Sequence, residues 1–175
     1  CHAVIRHFRE FDAYEADMAA GRWGYRKPRP RSDFPIGVMG LGVLGARVAR
    51  ALAQFDFPIN GWSRGPKAID GVRAFTGAAQ FHDFLAASRV LVNLLPLTPE
   101  TADVINRDSL AHLQPGAYVI NVARGAHLVD EDLLAAIDSA GKDFARGAVG
   151  AGRGTVCFGL NGGIGTSSRL IERDG

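Results

Sequence analysis

The sequence predicts an α/β protein in which a doubly wound parallel sheet carries helices on both faces. From residue 34 onward, short apolar runs alternate with stretches that have helical periodicity. The runs are apolar at nearly every position, as expected for parallel strands that are covered on both faces. A glycine-rich turn follows the first run and opens a helix pattern, a combination typical of this architecture.

The composition excludes several classes of protein. The chain has 175 residues, of which 47% are hydrophobic and 22% charged, with a formal net charge of +2. No apolar run approaches the roughly 20 residues that a membrane-spanning helix needs, and the charge is too small to indicate nucleic-acid binding. Cys1 and Cys157 lack metal-ligand or CxxC spacing, which favours a reducing compartment. We therefore expect a cytoplasmic protein with no membrane or nucleic-acid partner and no metal site.

Residues 1–32 are predicted to form a connecting helix and a linker, an N-terminal helical arm to the sheet. Within residues 4–20, apolar side chains recur every three or four positions and predict one amphipathic helix. Its apolar face comprises Val4, Phe8, Phe11 and either Tyr14 or Met18. The segment 21–33 mixes glycine, proline and charged residues, and predicts a loop. Its basic cluster contains prolines, so we interpret it as a linker.

Residues 33–140 are predicted to form the α/β unit itself. Strands are expected at residues 35–40, 58–62, 72–75, 89–95 and 116–123, with helices at 43–55, about 80–87, from the "TPET" turn to about 113, and 130–138. Right-handed crossovers between such strands produce a doubly wound sheet.

Residues 141–175 differ in character from the rest of the chain. They contain 10 of its 22 glycines, and the apolar periodicity ends at Ser139. Glycine raises the entropic cost of ordering a segment, so we predict an atypical, poorly packed tail. The abrupt loss of pattern leads us to expect a partial chain with an incomplete sheet, whose tail is an out-of-frame or aberrant translation of a longer gene.

The turn "GLGVLG", residues 40–45, predicts a Rossmann-type dinucleotide site, because it follows a strand and opens a helix. Gly40 would make the tight turn, Gly42 would admit the pyrophosphate, and Gly45 would let helix and strand pack closely. The phosphates would then meet free N–H groups at the helix N-terminus. The buried face of that helix is predicted to be Leu44, Val48, Leu52 and Phe55. The alternative is a glycine turn without a ligand.

The turn after the second strand predicts NADP rather than NAD. An acidic residue would accept a hydrogen bond from the ribose 2′-hydroxyl of NAD, but position 63 is serine. Ser63, Arg64 and Lys67 instead offer a hydroxyl and two cations to a 2′-phosphate. The alternative is an exposed basic turn with no ligand role.

Two further segments reach the same edge of the predicted sheet. In "VNLLPLTPET", Pro96 ends the strand, and Thr98 or Thr101 is expected to cap the next helix. In "VINVARGAHLVDEDLL", a fully buried strand would deliver Arg124, whose desolvated guanidinium needs an anionic partner. That partner would be a substrate carboxylate or carbonyl, or a structural salt bridge. The spacing leaves both open.

Four of these segments, "GLGVLG", "GWSR", "VNLLPLTPET" and "INVARGAHLVDEDLLAAI", resemble in this order the D-isomer-specific 2-hydroxyacid dehydrogenases. The "GWSR" turn and the N-terminal residues resemble most the glyoxylate/hydroxypyruvate reductase A group. The resemblance covers about residues 1–139. It implies a dinucleotide domain inserted into a flavodoxin-like substrate domain, reversible hydride transfer between NAD(P)H and a small 2-oxo acid, and a homodimer. We expect the dimer to form through the N-terminal helix.

By position, the resemblance implies cofactor-binding roles for Gly40, Gly42, Val43, Leu44, Gly45, Ser63, Arg64, Lys67, Leu95, Pro96 and Thr101. It implies that Arg124 is the catalytic arginine that orients the 2-oxo acid.

The resemblance also implies a general acid that this chain lacks. In the family a histidine downstream of the helix at 130–138 supplies the proton, and a glutamate holds the imidazole of that histidine in place. No histidine follows His127 here, and His127 itself fits a supporting role better. We therefore expect a partial dehydrogenase with little or no turnover alone. The alternatives are a non-catalytic NADP-binding module and an unstable fragment.

Overall fold

The computed structural model describes residues 1–139, 156–157 and 160–161. The described strands are β1 Ile36–Met39, β2 Ile59–Ser63, β3 Val72–Thr76, β4 Val90–Asn93, β5 Tyr118–Asn121, β6 Val156–Cys157 and β7 Leu160–Asn161. The described α-helices are α1 His2–Phe8, α2 Phe11–Ala19, α3 Val43–Ala53, α4 Phe81–Ala86, α5 Arg107–Ala111 and α6 Asp130–Ser139. Short 3-10 helices span Arg31–Asp33, Ala78–Gln80 and Gly125–His127. The rest of the predicted tail lies outside the described residues.

Five parallel strands form one sheet in the order β3-β2-β1-β4-β5. This arrangement confirms the predicted doubly wound α/β fold. Ile36 of β1 pairs with Ile59 of β2 on one side and with Val90 of β4 on the other. Strand order therefore reverses between β1 and β4. Loops that leave these two strands at their carboxyl ends flank the crevice where doubly wound proteins bind ligands.

Apolar side chains cover the sheet in two clusters. The first combines α1, α3 and the strands, and includes Val4, Phe8, Phe34, Leu52 and Phe57. The second combines α4 with the strands, and includes Met39, Trp62, Phe84, Leu91 and Leu95. The N-terminal α1 is thus part of the packed core. None of the described helices is long and apolar enough to cross a membrane.

The predicted single helix over residues 4–20 is wrong, because the chain breaks into α1 and α2. Glu10, between them, has a left-handed backbone with φ 53°. Arg6 pairs with Asp12 and Glu15 across this break, with Arg6 Nε 2.9 Å from Asp12 Oδ1. The bend lets α1 bury its apolar face, while the side chain of Met18 on α2 remains 77% exposed.

The predicted apolar face of α3 is also shifted. Small side chains face the sheet, since Gly45 and Ala49 are buried together with Leu52. Leu44 is 61% exposed, and Phe55 lies beyond the helix end. The reason is close approach: a helix that touches the backbone of a neighbouring turn has room only for small residues at the contact.

Two expectations after β4 need correction. Residues 99–103 form turns and Ile105 forms an isolated bridge with Leu128, so the helix predicted to reach residue 113 is limited to α5. Asn106 caps it, accepting a hydrogen bond from the Ser109 N–H at 3.1 Å. Thr98 and Thr101 therefore cap no helix. β5 was expected to be fully buried, but only Ile120 is, because β5 is the last strand of the described sheet.

Candidate functional site

The glycine turn after β1 is held by close backbone contacts. Gly40 has φ +95°, a conformation that side-chain-bearing residues rarely adopt. Its N–H donates to the Trp62 carbonyl at 2.9 Å and joins the turn to β2. A Cβ added at Gly45 would lie 1.8 Å from the Gly40 carbonyl oxygen, so α3 packs directly against the turn.

Gly42, in contrast to Gly40 and Gly45, borders open space. It is the N-cap of α3, has an ordinary φ of −72°, and an added Cβ would meet nothing within 4 Å. No side chain caps the helix at this end. The exposed apolar side chains of Val43 and Leu44 lie beside it. Open space in front of uncapped N–H groups at a helix N-terminus is the environment that a diphosphate needs, so this part of the chain fits a dinucleotide.

In the turn after β2 the cationic side chains are exposed, whereas the serine hydroxyl already forms a hydrogen bond within the turn. Ser63 is buried, and its Oγ donates to the Gly65 carbonyl oxygen at 2.8 Å. Arg64 and Lys67 are exposed, and within the described residues neither forms an ion pair. A hydrogen bond from Thr98 and, to a smaller extent, the charge of Arg64 lower the pKa of the Glu100 carboxyl. Arg64 and Lys67 are thus exposed and form no ion pair within the described residues, whereas the Ser63 hydroxyl proton is already donated to Gly65.

The loop after β4 is stabilised by one buried hydroxyl. Thr101 Oγ1 donates to the Pro96 carbonyl oxygen at 2.7 Å and accepts from the Thr98 N–H at 2.8 Å. Leu95 is buried in the second apolar cluster, and Pro96 is exposed. Of these predicted site residues, Pro96 therefore presents its side chain outward, and Thr101 supports the loop from inside.

The loop after β5 carries Arg124, whose side chain is exposed rather than desolvated as expected. Its Nη1 donates to the Ala123 carbonyl oxygen at 2.9 Å, and within the described residues it forms no salt bridge. The correction follows from β5 being a half-buried strand. The backbone of Arg124 is firmly held: Asn121 Nδ2 donates to its carbonyl oxygen at 2.9 Å, and the fully buried His127 places Nδ1 3.0 Å from the same oxygen.

A pair of asparagines that the sequence analysis missed connects these last two loops. Asn93 ends β4 and is fully buried, and Asn121 ends β5. Asn93 Nδ2 donates to Asn121 Oδ1 at 3.2 Å, and Asn93 Oδ1 accepts from the Leu95 N–H at 3.1 Å. The available signal was an asparagine within each of two apolar runs, "RVLVNLL" and "GAYVINVA".

Comparison with curated proteins finds glyoxylate/hydroxypyruvate reductase A enzymes. The chain is 50% identical over 135 residues to the one from Serratia proteamaculans, which covers 77% of this chain and 43% of the relative. It is 47% identical over 135 residues to the one from Photorhabdus laumondii, with the same coverage. The chain therefore spans less than half the length of these relatives.

Solved structures show the same relationship. A D-isomer specific 2-hydroxyacid dehydrogenase from Xanthobacter autotrophicus, in complex with NADPH and MES, superposes with a TM-score of 0.75 at 46% identity, over 78% of this chain and 44% of that chain. An NADPH-dependent glyoxylate/hydroxypyruvate reductase from Sinorhizobium meliloti, in complex with NADP and sulfate, gives 0.72 at 38% identity, over 77% and 44%.

A family model also covers most of the chain. Residues 1–146 match the D-isomer specific 2-hydroxyacid dehydrogenase, NAD binding domain. The match includes the glycine turn, the asparagine pair and the Arg124 loop, all at the carboxyl edge of one parallel sheet. On this evidence the chain belongs to the family of D-isomer specific 2-hydroxyacid dehydrogenases, and the part described is their NAD-binding domain.

Proposed function

We propose that this chain binds NADPH at the carboxyl edge of its sheet, as part of a glyoxylate/hydroxypyruvate reductase that acts on a small 2-oxo acid. The observation that carries the proposal is the open N-terminus of α3 at Gly42, in a chain whose structural relatives hold NADPH or NADP. Residues 33–140 would constitute the nucleotide-binding unit. Bound NADPH would supply the hydride for the carbonyl carbon.

Preference for NADP over NAD is proposed to reside in the turn after β2. Arg64 and Lys67 are exposed cations that can pair with a 2′-phosphate, and no carboxylate occupies position 63 to repel it. The Ser63 hydroxyl contributes only if it exchanges its bond to Gly65 for one to the phosphate. We therefore assign the main phosphate contacts to the two cations.

Arg124 is proposed to orient the 2-oxo acid. A guanidinium has five donors in a planar fork, which matches a carboxylate bidentately. Its side chain is exposed at the ligand edge, and its backbone is held by Asn121 and His127. Substrate binding would replace the internal hydrogen bond to the Ala123 carbonyl oxygen.

The decisive experiment compares Gly42→Ala with the unchanged chain. Because an added Cβ at this position meets no protein atom, we expect only a small drop in Tm without nucleotide, from the poorer N-cap that alanine makes. The same methyl group would obstruct the pyrophosphate, so NADPH affinity measured by calorimetry should fall at least roughly tenfold, about 1.4 kcal/mol. Equal affinity of the variant, or no saturable NADPH uptake by a folded sample, would overturn the proposal.

We also propose that these 175 residues alone turn over little or no substrate, since no histidine follows His127. Loss of a general acid costs roughly 100-fold to 10,000-fold in rate. Steady-state assays with glyoxylate, hydroxypyruvate and NADPH test this expectation. NADPH binding without turnover would support a non-catalytic module, and a chain that shows no cooperative thermal melt would be an unstable fragment.

The N-terminal arm, residues 1–32, is proposed to mediate a homodimer. Met18 on α2 and Trp23 after it are 77% and 97% exposed, and Tyr25 is exposed as well. Large apolar side chains at this density favour a protein contact. Sedimentation should show a dimer that Trp23→Ser weakens. A monomer at all concentrations would reject the proposed dimer.

We also propose that the protein is located in the cytoplasm, where its cysteines would stay reduced.

A further inference from the structure

We propose that His82, Asp108 and His112 form a binding site for a divalent transition-metal ion, with Zn²⁺ as the probe to test it. His82 lies on α4, Asp108 lies on α5, and His112 is the C-cap of α5. No role in nucleotide binding is assigned to any of them. The cysteine spacing predicted no metal site, and the ligands proposed here come from two elements that meet only in the folded chain.

The three side chains converge on one point. Their ligand atoms all lie within 4.8 Å of one another. His82 Nε2 is 3.0 Å from Asp108 Oδ2, and His112 Nδ1 is 3.8 Å from Asp108 Oδ1. The two imidazole rings stack with centroids 3.7 Å apart and planes 15° apart. One carboxylate is thus flanked by two imidazoles.

The donor set suits a borderline transition metal. Imidazole nitrogen and carboxylate oxygen are common ligands of Zn²⁺, at about 2.0–2.2 Å. At those lengths the donors of a tetrahedral site are roughly 3.3 Å apart. The most widely separated donors therefore need to approach by up to about 1.5 Å. All three side chains are at least one-third exposed, so rotation can supply this movement without disturbing the core.

Both imidazoles lie beside the single Asp108 carboxylate. A metal ion binds both imidazoles as neutral rings and the carboxylate as an anion. The His112 Nδ1 lies 2.8 Å from the Asp108 carbonyl oxygen, which leaves Nε2 as the atom of that ring that would bind the metal. Such outer contacts fix metal-binding histidines in position.

The bound ion would join α4 to α5. These helices belong to successive crossovers, from β3 to β4 and from β4 to β5, and the side chain of Gln114, just after α5, already donates to the Ala86 carbonyl at 3.1 Å. Since the ligands come together only in the folded chain, metal binding stabilises that state. Three protein ligands leave at least one position for water or for a ligand from a partner.

Calorimetry with Zn²⁺ tests the site in a background without competing groups. Cys1→Ser, His2→Gln and Cys157→Ser remove the exposed N-terminal thiol, its neighbouring imidazole and the other cysteine. We expect one Zn²⁺ per chain, a raised Tm, and Co²⁺ absorption without a thiolate charge-transfer band. In that background His112→Gln and Asp108→Asn should weaken binding at least roughly tenfold. Asp83→Asn, an exposed neighbour on α4 outside the cluster, is the matched control and should bind as before.

The NMR resonances of the histidine rings provide a readout of Zn²⁺ binding that does not depend on the stability of a variant. Zn²⁺ should shift the ring signals of His82 and His112 together and leave the buried His127 unchanged. Stoichiometric binding that survives in His82→Gln/His112→Gln, or no binding by the background chain, would overturn the proposal.

Discussion

The glycine turn after β1 and the Arg124 loop after β5 leave parallel strands at the same edge, yet they are held by different means. Contact between main-chain atoms holds the first, with the Gly45 Cα almost against the Gly40 carbonyl. Side chains hold the second: Asn93 and Asn121 from the ends of neighbouring strands, and His127 from the 3-10 helix that follows Arg124. The glycine turn is held by main-chain contact only because position 45 carries no side chain. The second depends on polar side chains, two of them three residues from Arg124 and the third, Asn93, 28 residues from its partner Asn121.

The largest effect should come from Gly45→Ala, which attacks the backbone-held turn. A Cβ at 1.8 Å from the Gly40 oxygen cannot be accommodated without moving α3 or the turn. Overpacking of this kind costs about 3 kcal/mol or more in free energy of unfolding. Chemical denaturation measures it, with Gly42→Ala as the matched control because that Cβ enters open space. Equal stability of the two variants would show that the turn is not closely packed.

The second prediction concerns the strand that carries the Arg124 loop. The His7 ring of α1 stacks on Tyr118 of β5, with centroids 4.0 Å apart. Burial, assisted by the charges of Arg89 and Arg29, lowers the pKa of His7 to about 4 from an ordinary 6.5. The unfolded chain therefore binds the proton first as the pH falls. The free energy of unfolding therefore keeps its full value above about pH 6.5 and falls progressively towards pH 4, by up to about 3 kcal/mol.

His7→Phe isolates this contribution, since it keeps a flat ring against Tyr118 but removes the titration. Between pH 7 and pH 4 the unchanged chain should lose about 3 kcal/mol more than the variant, as measured by urea denaturation at each pH. Parallel stability curves for the two chains would contradict the proposed cause.

The third prediction separates the two loops directly. Asn93→Ala removes the acceptor of the Leu95 N–H and the donor to Asn121 Oδ1. Leaving buried polar groups without partners costs about 1–3 kcal/mol. Amide hydrogen exchange should accelerate at Leu95 and in the Arg124 loop, while the Gly40 N–H, bonded to Trp62, keeps its protection. Uniform acceleration at both sites would mean that the loops are not held independently.

The smallest effects should arise at exposed cations. Arg64→Ala and Lys67→Ala should each weaken NADPH binding about tenfold, or about 1.4 kcal/mol, and leave NADH binding unchanged. Ser63→Ala should have a smaller effect, because its hydroxyl donates to Gly65. Arg50→Ala, an exposed arginine in the last turn of α3, is the control. Equal losses for NADPH and NADH would argue against a contact with the 2′-phosphate.

Local rules made the strands and the glycine turn predictable. An apolar run such as "VLVN" has to be buried wherever it lies, and the spacing of Gly40, Gly42 and Gly45 expresses steric needs within six residues. Helix faces were less predictable. Leu44 belongs to a regular apolar pattern, but α3 approaches its neighbours so closely that Gly45 and Ala49 face inward instead. The break at Glu10 likewise depends on ion pairs that only the bent chain can form.

By itself the sequence determined the α/β alternation, the glycine turn and the family resemblance, because periodicity and glycine spacing act over a few residues. The tertiary structure alone decided that Arg124 is exposed, that Asn93 meets Asn121 across 28 residues, and that His82 meets Asp108 and His112. These contacts depend on which strands become neighbours and on how closely helices approach the sheet. Both are set by the packing of the whole chain.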